Sequence, residues 1–329
     1  IKLCKKEADS YEGESDEKTL TQTKRIFDLV DYSLSEENIL ILDRARYAFD
    51  DGEFNDEEEI LKIDNFAREW LGWKEKGKGR VALAQPWVME DKESGHSVTL
   101  EFEVNSVIDY KGAYLAIENP QICEIKFNGE KISNEPCGYF TDEAIKKIKL
   151  PEIKKGKSII TVKIPIAMRR NLEWAYVLGD FGVDVFGVKT QINEKYEKIG
   201  FSSLTEQRMP FYSGNITYKF DIETDDCDLG ITTPLYRGAV IDVKIDGEEK
   251  GNIAYSPYEL RVKDVKKGTH KVEITLYGTR FNSFGTLHST DDRKWIGPQA
   301  WSSEREAFCY EYMTRKMGLL QSPMIKIYK

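Results

Sequence analysis

The chain has 329 residues, of which 40% are hydrophobic and 32% are charged, so it can bury a core and is not a disordered chain. Its 57 acidic residues outnumber its 48 basic residues, and the formal charge is −9. This balance argues against binding to a nucleic-acid backbone, which requires clustered Lys and Arg. The longest charge-free apolar stretches, such as residues 81–89, fall far short of the roughly 20 residues that a membrane-spanning helix needs, so we expect no membrane span.

Residues 1–30 are expected to form a tail or linker. Within them, residues 1–24 mix Lys with Asp, Glu and Ser and show no hydrophobic periodicity. The chain starts at Ile1 rather than at Met, so we expect either a processed chain or a piece of a longer one. The first folded domain is expected over residues 31–190, and it opens with a strand-like stretch from Glu37 to Phe49.

Seven acidic residues follow this stretch, at positions 50, 51, 53 and 56–59. One interpretation is a structural calcium ion, since hard cations bind several carboxylates; no other cofactor is predicted. The favoured interpretation is a helix over residues 56–71, capped by Asn55 and with acids in its first turn. Apolar residues then recur every three or four positions: Ile60, Ile63, Phe66, Ala67, Trp70 and Leu71. This stripe predicts packing on a sheet, with Trp70 buried.

The rest of the chain alternates apolar and polar residues in short runs separated by turn signals, which is typical of antiparallel β-sandwiches. Two of these runs end alike, with Asn128-Gly129 after one and Asp246-Gly247 after the other. Both dipeptides predict tight hairpins, because Gly accepts a positive φ angle. A Lys-Lys-Gly sequence and another β-rich run follow each hairpin, so the chain contains two copies of one β module. The predicted fold is therefore all-β, with two antiparallel sandwiches over residues 31–190 and 191–329, the first carrying the inserted helix.

The repeated pattern resembles a known family of domains. Each copy has the hairpin, then an aromatic stretch (138–141 and 255–258), then Lys-Lys-Gly (154–156 and 266–268). This order is similar to the sugar-binding, galactose-binding-like jelly rolls of glycoside hydrolase family 2. Three further segments resemble large bacterial glycosidases, including relatives of the family 106 α-L-rhamnosidases: residues 172–183, 206–214 and 295–298. The resemblance implies a C-terminal pair of jelly rolls whose partners are carbohydrate and the catalytic domain of the same parent chain.

No catalytic residue is predicted from the sequence. Glycosidases hold two carboxyl groups across the scissile bond, but with 57 acids in the chain the presence of carboxylates alone indicates nothing. Metal and hydrolase motifs are also missing, since the three histidines are far apart and there is no Gly-x-Ser-x-Gly sequence. The alternative hypothesis is a self-contained carbohydrate-active hydrolase that uses carboxylate acid–base chemistry through acids such as Glu206 or Asp180.

The most unusual segment runs from Gly278 to Arg305, between two convincing strands. Ordered loops longer than about 15 residues are often functional, and this one combines flat aromatic rings with amide, carboxylate and guanidinium groups. Those groups suit sugar recognition, and the candidate carbohydrate-binding residues, together with a nearby acid, are Trp295, Trp301, Asn282, His288, Asp292, Arg280 and Glu206. The competing interpretation is a loop that plugs one end of the sandwich or docks on the catalytic domain. The predicted function is a non-catalytic module pair with a structural role, a carbohydrate-binding role, or both.

Overall fold

The computed structural model describes residues 18–73, 92–291, 301, 303 and 306–329. In this part of the chain β-strands dominate, and the predicted all-β sandwich class is confirmed. The helical elements there are few and short: α1 (Ile60–Trp70), α2 (Phe281–Phe284) and the 3-10 turns Pro120–Ile122 and Leu204–Glu206. No helix among the described residues is both long and apolar enough to cross a membrane.

The first sandwich contains thirteen described strands, numbered by their order in the chain. They are β3 (Asn38–Leu42), β4 (Arg44–Phe49), β5 (Asn55–Glu59), β6 (Glu93–Ser106), β7 (Tyr114–Glu118), β8 (Glu124–Phe127), β9 (Glu130–Lys131), β10 (Gly138–Phe140), β11 (Asp142–Lys149), β12 (Gly156–Ala167), β13 (Ala175–Gly179), β14 (Gly182–Phe186) and β15 (Lys189–Asn193). One sheet has the order β10-β11-β7-β13-β3. The other has the order β14-β15-β6-β12-β8-β9, with β4 beside β6 and β5 beside β4. The described strand pairs are antiparallel except for one parallel contact, between Ile192 and Ser106.

The second sandwich uses both ends of the described chain. Its strands are β1 (Leu20–Arg25), β2 (Asp31–Leu34), β16 (Ile216–Thr224), β17 (Cys227–Thr232), β18 (Tyr236–Arg237), β19 (Ile241–Ile245), β20 (Glu248–Ile253), β21 (Glu259–Val265), β22 (Gly268–Leu276), β23 (Gly318–Leu319) and β24 (Met324–Tyr328). The two main sheets have the orders β1-β24-β17-β21 and β2-β16-β22-β19-β20, and β18 pairs with β23. Each sandwich encloses its own hydrophobic core, because strand residues facing inward alternate with residues facing solvent.

The first strand of the second sandwich, β1, lies within residues 1–30, where the sequence predicted a tail or linker. Strand β2, of the same sandwich, lies within residues 31–190, which were predicted to form the first sandwich. Strand β1 pairs with β24 from Leu20↔Tyr328 to Arg25↔Met324, and β2 pairs with β16. The chain therefore starts the second sandwich, builds the first one, and returns to complete the second. No apolar alternation marks β1 in the sequence, because it is an edge strand whose six residues are all exposed.

The two hairpins of the sequence repeat have the same geometry. The turn residues Asn128 and Gly129 have φ angles of 50° and 86°, and Asp246 and Gly247 have 54° and 82°. Two successive positive φ values define the type I′ turn, which matches the twist of the flanking strands. In each copy the first hairpin strand pairs with the long strand that follows Lys-Lys-Gly, as β8 does with β12 and β19 with β22. The repeat therefore corresponds to one strand arrangement used twice.

Helix α1 differs from its prediction in two respects. It begins at Ile60 rather than at residue 56, because residues 55–59 form strand β5 and the Glu59 carboxylate caps the helix by accepting from the Leu61 and Lys62 amides. The stripe residues Ile60, Ile63 and Ala67 are buried as predicted. The prediction of a buried Trp70 is wrong, since this side chain is 46% exposed and stacks on Phe49 at the end of the helix.

The exposure of Trp70 predicts a modest loss of stability on its removal. We expect Trp70→Ala to lower the free energy of unfolding by about 1–2 kcal/mol, below the loss of about 3–5 kcal/mol typical of buried aromatic residues. Ile63→Ala, at a fully buried position of the same helix, should cost about 2–5 kcal/mol. Urea unfolding followed by circular dichroism measures both. A larger loss for Trp70→Ala than for Ile63→Ala would contradict the surface position of Trp70.

Candidate functional site

The long segment between β22 and β23 crosses from the second sandwich to the first. We call residues 278–317 the crossing segment, of which 278–291, 301, 303 and 306–317 are described. Leu287 is fully buried within the core of the first sandwich, and Phe281, Phe284 and Tyr312 pack against that core. The segment follows a strand of the second sandwich, yet these four apolar side chains pack on the core of the first.

Aromatic rings form one half of this contact. The ring of Phe284 lies 5.5 Å from that of Phe140 and 5.6 Å from that of Tyr176, between ring centroids. The Tyr176 hydroxyl donates to the carbonyl of Ser283 at 3.4 Å, and burial raises the pKa of this tyrosine. Rings at these separations contribute roughly 0.5–1.5 kcal/mol per pair beyond the area that they bury.

A buried ion pair forms the other half. His288 Nε2 lies 2.6 Å from Asp43 Oδ2, and both side chains are almost fully buried, at 6% and 4% exposed. His288 Nδ1 lies 3.1 Å from the carbonyl of Cys309, and the Tyr312 hydroxyl donates to Asp43 Oδ1 at 2.9 Å. Both ring nitrogens of His288 therefore face acceptors, which suits the doubly protonated ring. Burial lowers the pKa of His288, but the hydrogen bond and charge of Asp43 outweigh it and the pKa is raised.

Glu59 extends the polar network toward helix α1. Its Oε2 caps the helix, and its Oε1 accepts from the indole nitrogen of Trp174 at 2.8 Å. Burial raises the pKa of Glu59 to about 7, against the hydrogen bond from Trp174 and the charge of His288, which lower it. The Trp174 ring in turn meets the edge of His288, with centroids 5.6 Å apart. The Glu59 carboxyl group therefore bonds both the start of helix α1 and the indole ring that packs against His288.

A second set of contacts surrounds this network at the surface. The Lys62 ammonium donates to the Tyr310 hydroxyl at 2.6 Å and lies 4.3 Å from the centre of the Phe308 ring. The Tyr310 hydroxyl donates to Glu58 at 3.1 Å. The Phe308 ring also lies against His288, with ring centroids 6.0 Å apart, so this set of contacts adjoins the buried pair.

The described residues leave no room for a sugar on the His288 side of the buried pair. The cavity between Glu59, Trp174, His288 and Trp301 has a volume of about 10 Å³, at the lower limit for a single water molecule. Its polar groups are paired with one another rather than directed at an empty space. The arrangement is thus suited to fixing the two sandwiches together.

The predicted carbohydrate-binding residues are only partly brought together. Trp301 and His288 line the same small cavity, with Trp301 38% exposed. Asn282 is buried, and its amide bonds the backbone of Arg315 through both donor and acceptor. Arg280 forms an ion pair with Glu36.

Three further candidates stand apart from this group. Glu206 is exposed in the 3-10 turn of the second sandwich. Trp295 and Asp292 lie outside the described residues. Sugar contact by the tryptophans therefore stays a prediction.

Sequence reasoning does not identify the partners that complete the network. Some of these partners lie far from His288 in the sequence, and others lie within ordinary strand or helix patterns: Asp43, Glu59, Trp174 and Tyr312. One signal is present, since Asp43 follows a run of four apolar residues that ends strand β3. Glu59 is the last acid before the apolar stripe of α1, where a carboxylate fits a capping role.

The acidic cluster at 50–59 does not gather at one point. Asp50 bonds His96 and the amide of Ser97, Asp51 pairs with Lys163, and Glu57 pairs with Arg44. Among the described residues no group of three His, Cys, Asp or Glu side chains is placed to hold a metal ion. The acids are instead distributed among separate partners, and the suggested calcium ion remains a prediction.

Comparison with known proteins gave distant structural similarities. No family model and no curated protein matches the chain. The rhamnosidase from Novosphingobium sp. PP1Y aligns at 17% identity and a TM-score of 0.29, over 70% of this chain and 23% of that one. The β-D-mannosidase from Dictyoglomus thermophilum aligns at 12% identity and a TM-score of 0.28, over 73% of this chain and 31% of that one. A family 2 β-galacturonidase from Eisenbergiella tayi aligns at 16% identity and a TM-score of 0.27, over 44% of this chain and 22% of that one. This chain spans less than a third of each, and TM-scores this low do not establish a common fold.

The buried pair predicts a large loss of stability when one partner is removed. We expect Asp43→Ala to lower the free energy of unfolding by about 3–5 kcal/mol, since it leaves His288 without its counter-ion and Tyr312 without an acceptor. Asp51→Ala, which breaks an ion pair at a 93% exposed carboxylate, is the matched control and should change stability by at most about 0.5 kcal/mol. Urea unfolding measures both, and equal losses would contradict the role given to Asp43.

The raised pKa of Glu59 predicts that stability falls as the pH rises from about 4.5 to about 7. In this range the folded chain keeps a proton that the unfolded chain, with a pKa near 4.5, has released. The raised pKa of His288 acts in the same direction above pH 6.5. We expect Glu59→Gln to make this pH-dependent loss in the free energy of unfolding smaller by about 3 kcal/mol.

Unfolding midpoints at pH 5 and pH 8 measure this effect. Glu57→Gln, at an exposed position of the same strand, serves as the control and should keep the wild-type pH dependence. A Glu59→Gln variant whose stability falls with pH as steeply as that of the wild type would refute the assignment.

Proposed function

We propose that this chain is a non-catalytic pair of β-sandwiches belonging to a glycoside hydrolase, with a structural role beside the catalytic domain of the same parent chain and a role in contacting carbohydrate. The observation that carries the proposal is the crossing segment, whose aromatic and ionic contacts fix the second sandwich to the first. Two sandwiches held in this way form one rigid support rather than two independently moving modules.

The hydrolase context is supported by sequence resemblance. Residues 172–183 and 206–214 resemble segments of large bacterial glycosidases, and both lie in the described structure. The first contains strand β13 and the Trp174 side chain of the network, and the second includes Phe211, which packs against Tyr312 at 4.9 Å between ring centroids. The resembling segments thus coincide with the contact between the two sandwiches.

The state of the acids supports a non-catalytic role. A glycosidase needs two carboxyl groups that face a substrate-sized space. The charge of Asp43 acts on Glu59, but both groups are buried and bonded, and Glu59 lies beside a cavity of about 10 Å³. A larger cleft of about 310 Å³ is lined by Glu57, Glu101 and Glu103, but each of these carboxylates is held in an ion pair with a cation of the same lining. Asp180 is paired with Lys195 at 2.6 Å, and Glu206 is exposed on a turn of the other sandwich.

Hydrolysis assays test the proposal directly. The purified chain, incubated with 4-nitrophenyl glycosides of common hexoses, pentoses and deoxysugars, should release no nitrophenol above the buffer blank. A commercial glycosidase for each substrate confirms that the assay detects turnover. Release that co-purifies with the chain and is lost in Glu206→Gln or Asp180→Asn would replace this proposal with a self-contained hydrolase.

A further inference from the structure

The larger sheet of the first sandwich splits along strand β6. On one side of β6, strand β4 pairs with its middle as far as Glu101↔Arg46, and β15 touches its end at Ser106↔Ile192. Between these two contacts, among the described pairings, residues 102–105 have a neighbour only on the β12 side. The sheet is therefore open where β4 and β15 diverge.

This opening is a cleft of about 310 Å³, which is at the small end of the range for ligand sites. Tyr312 and Asp43 lie at its lining, so the crossing segment forms part of its wall. Ile41, Leu42, Ile159 and Val188 add apolar groups to a lining that is otherwise mostly polar. The cleft is separate from the small cavity beside His288, although Asp43, which lines the cleft, is bonded to His288.

Charged groups of both signs alternate around the cleft. Four cations line it among the described residues: Arg44, Arg46, Lys157 and Lys189. Three of them pair with lining carboxylates, Arg44 with Glu57, Arg46 with Glu101, and Lys157 with Glu103. Such partly exposed pairs contribute little to stability, so a ligand can share their hydrogen bonds at small cost.

Two donors at the cleft lack a full set of partners in the protein, one buried and one exposed. The Nε–H of Arg44 is buried and has no hydrogen-bond partner among the described residues, although the same guanidinium bonds Glu57 at 2.7 Å. Lys189 is exposed, and its charge reaches Glu103 only through space. The exposed ammonium of Lys189 is therefore placed to bond a ligand acceptor.

We propose that this cleft binds a neutral sugar unit. A hydroxyl group both donates and accepts, so vicinal hydroxyls match a surface on which carboxylates and cations alternate. An anion would meet the carboxylates that line the cleft, and a largely apolar ligand would leave the charged groups unpaired. Ile159 and Val188 can contact the C–H face of the ring. The choice of a sugar as ligand rests on the proposed carbohydrate role of the chain. The location of the site rests on the cleft alone.

Titration calorimetry tests the proposal with defined probes. The full chain is titrated with the methyl glycosides of glucose, galactose, mannose, xylose and rhamnose, and with sodium glucuronate as the anionic probe. We expect saturable binding of at least one neutral glycoside, with a Kd of about 1 mM, and weaker binding of glucuronate.

Matched variants locate the binding. Lys157→Met removes a cleft cation and should weaken binding about tenfold or more. Lys163→Met is the control, because Lys163 lies on the same strand β12 and is also ion-paired, with Asp51, but does not line the cleft. It should bind as the wild type does, and circular dichroism confirms that both variants are folded. Arg44→Met provides a second cleft variant with the same expectation as Lys157→Met.

Several results would overturn the inference. Absence of binding to all five neutral probes by the folded chain would do so, as would equal binding by Lys157→Met, Arg44→Met and Lys163→Met. Stronger binding of glucuronate would refute the neutral class of ligand. Binding that is lost in Trp301→Ala and kept in Lys157→Met would move the sugar site to the crossing segment and leave the proposed function standing. Glycoside turnover by the chain would instead overturn the proposed function itself.

Discussion

The ion pair between Asp43 and His288 is the contact on which the joined arrangement of the two sandwiches depends. It connects the end of strand β3 to a segment that follows β22, across 245 residues of sequence. Because both charges are buried, each is stable only while the other is in place, and separating them would leave an uncompensated charge in the protein interior. The Tyr312 hydroxyl and the carbonyl of Cys309 satisfy the remaining polar atoms of the pair, and Glu59 and Trp174 bond each other beside it. The network therefore forms or fails as a unit.

The path of the chain strengthens this coupling. The second sandwich begins with β1 and β2, and it is completed only after the chain has built the whole of the first sandwich. Two chain connections therefore join the sandwiches, close to the bridge between Val30 and Ile199, and the crossing segment adds a third, non-covalent link. A single flexible linker would allow the domains to swing, whereas several separate attachments restrict their relative motion.

The two polar regions of the chain differ in what their charges do. Around His288 the polar groups are buried and paired with one another, so their bonds stabilise the fold. In the cleft along β6 the charged groups are partly exposed, and the buried Nε–H of Arg44 has no partner among the described residues. The same residue types thus hold the protein together in one place and present hydrogen-bonding groups to solvent in the other, because the sheet is covered in the first case and split in the second.

Features that depend on neighbouring residues follow from the sequence alone. The Asn-Gly and Asp-Gly turns require positive φ angles, the alternating runs of β6 and β16 mark strands with one buried face, and the repeat of these signals predicts two sandwiches. The sandwich to which β1 belongs is set by tertiary structure, because an edge strand with exposed side chains is defined by its backbone pairing. The partner of His288 and the exposure of Trp70 are also set by tertiary structure. The burial of a side chain depends on which distant surface covers it, and the local periodicity of the sequence does not contain that information.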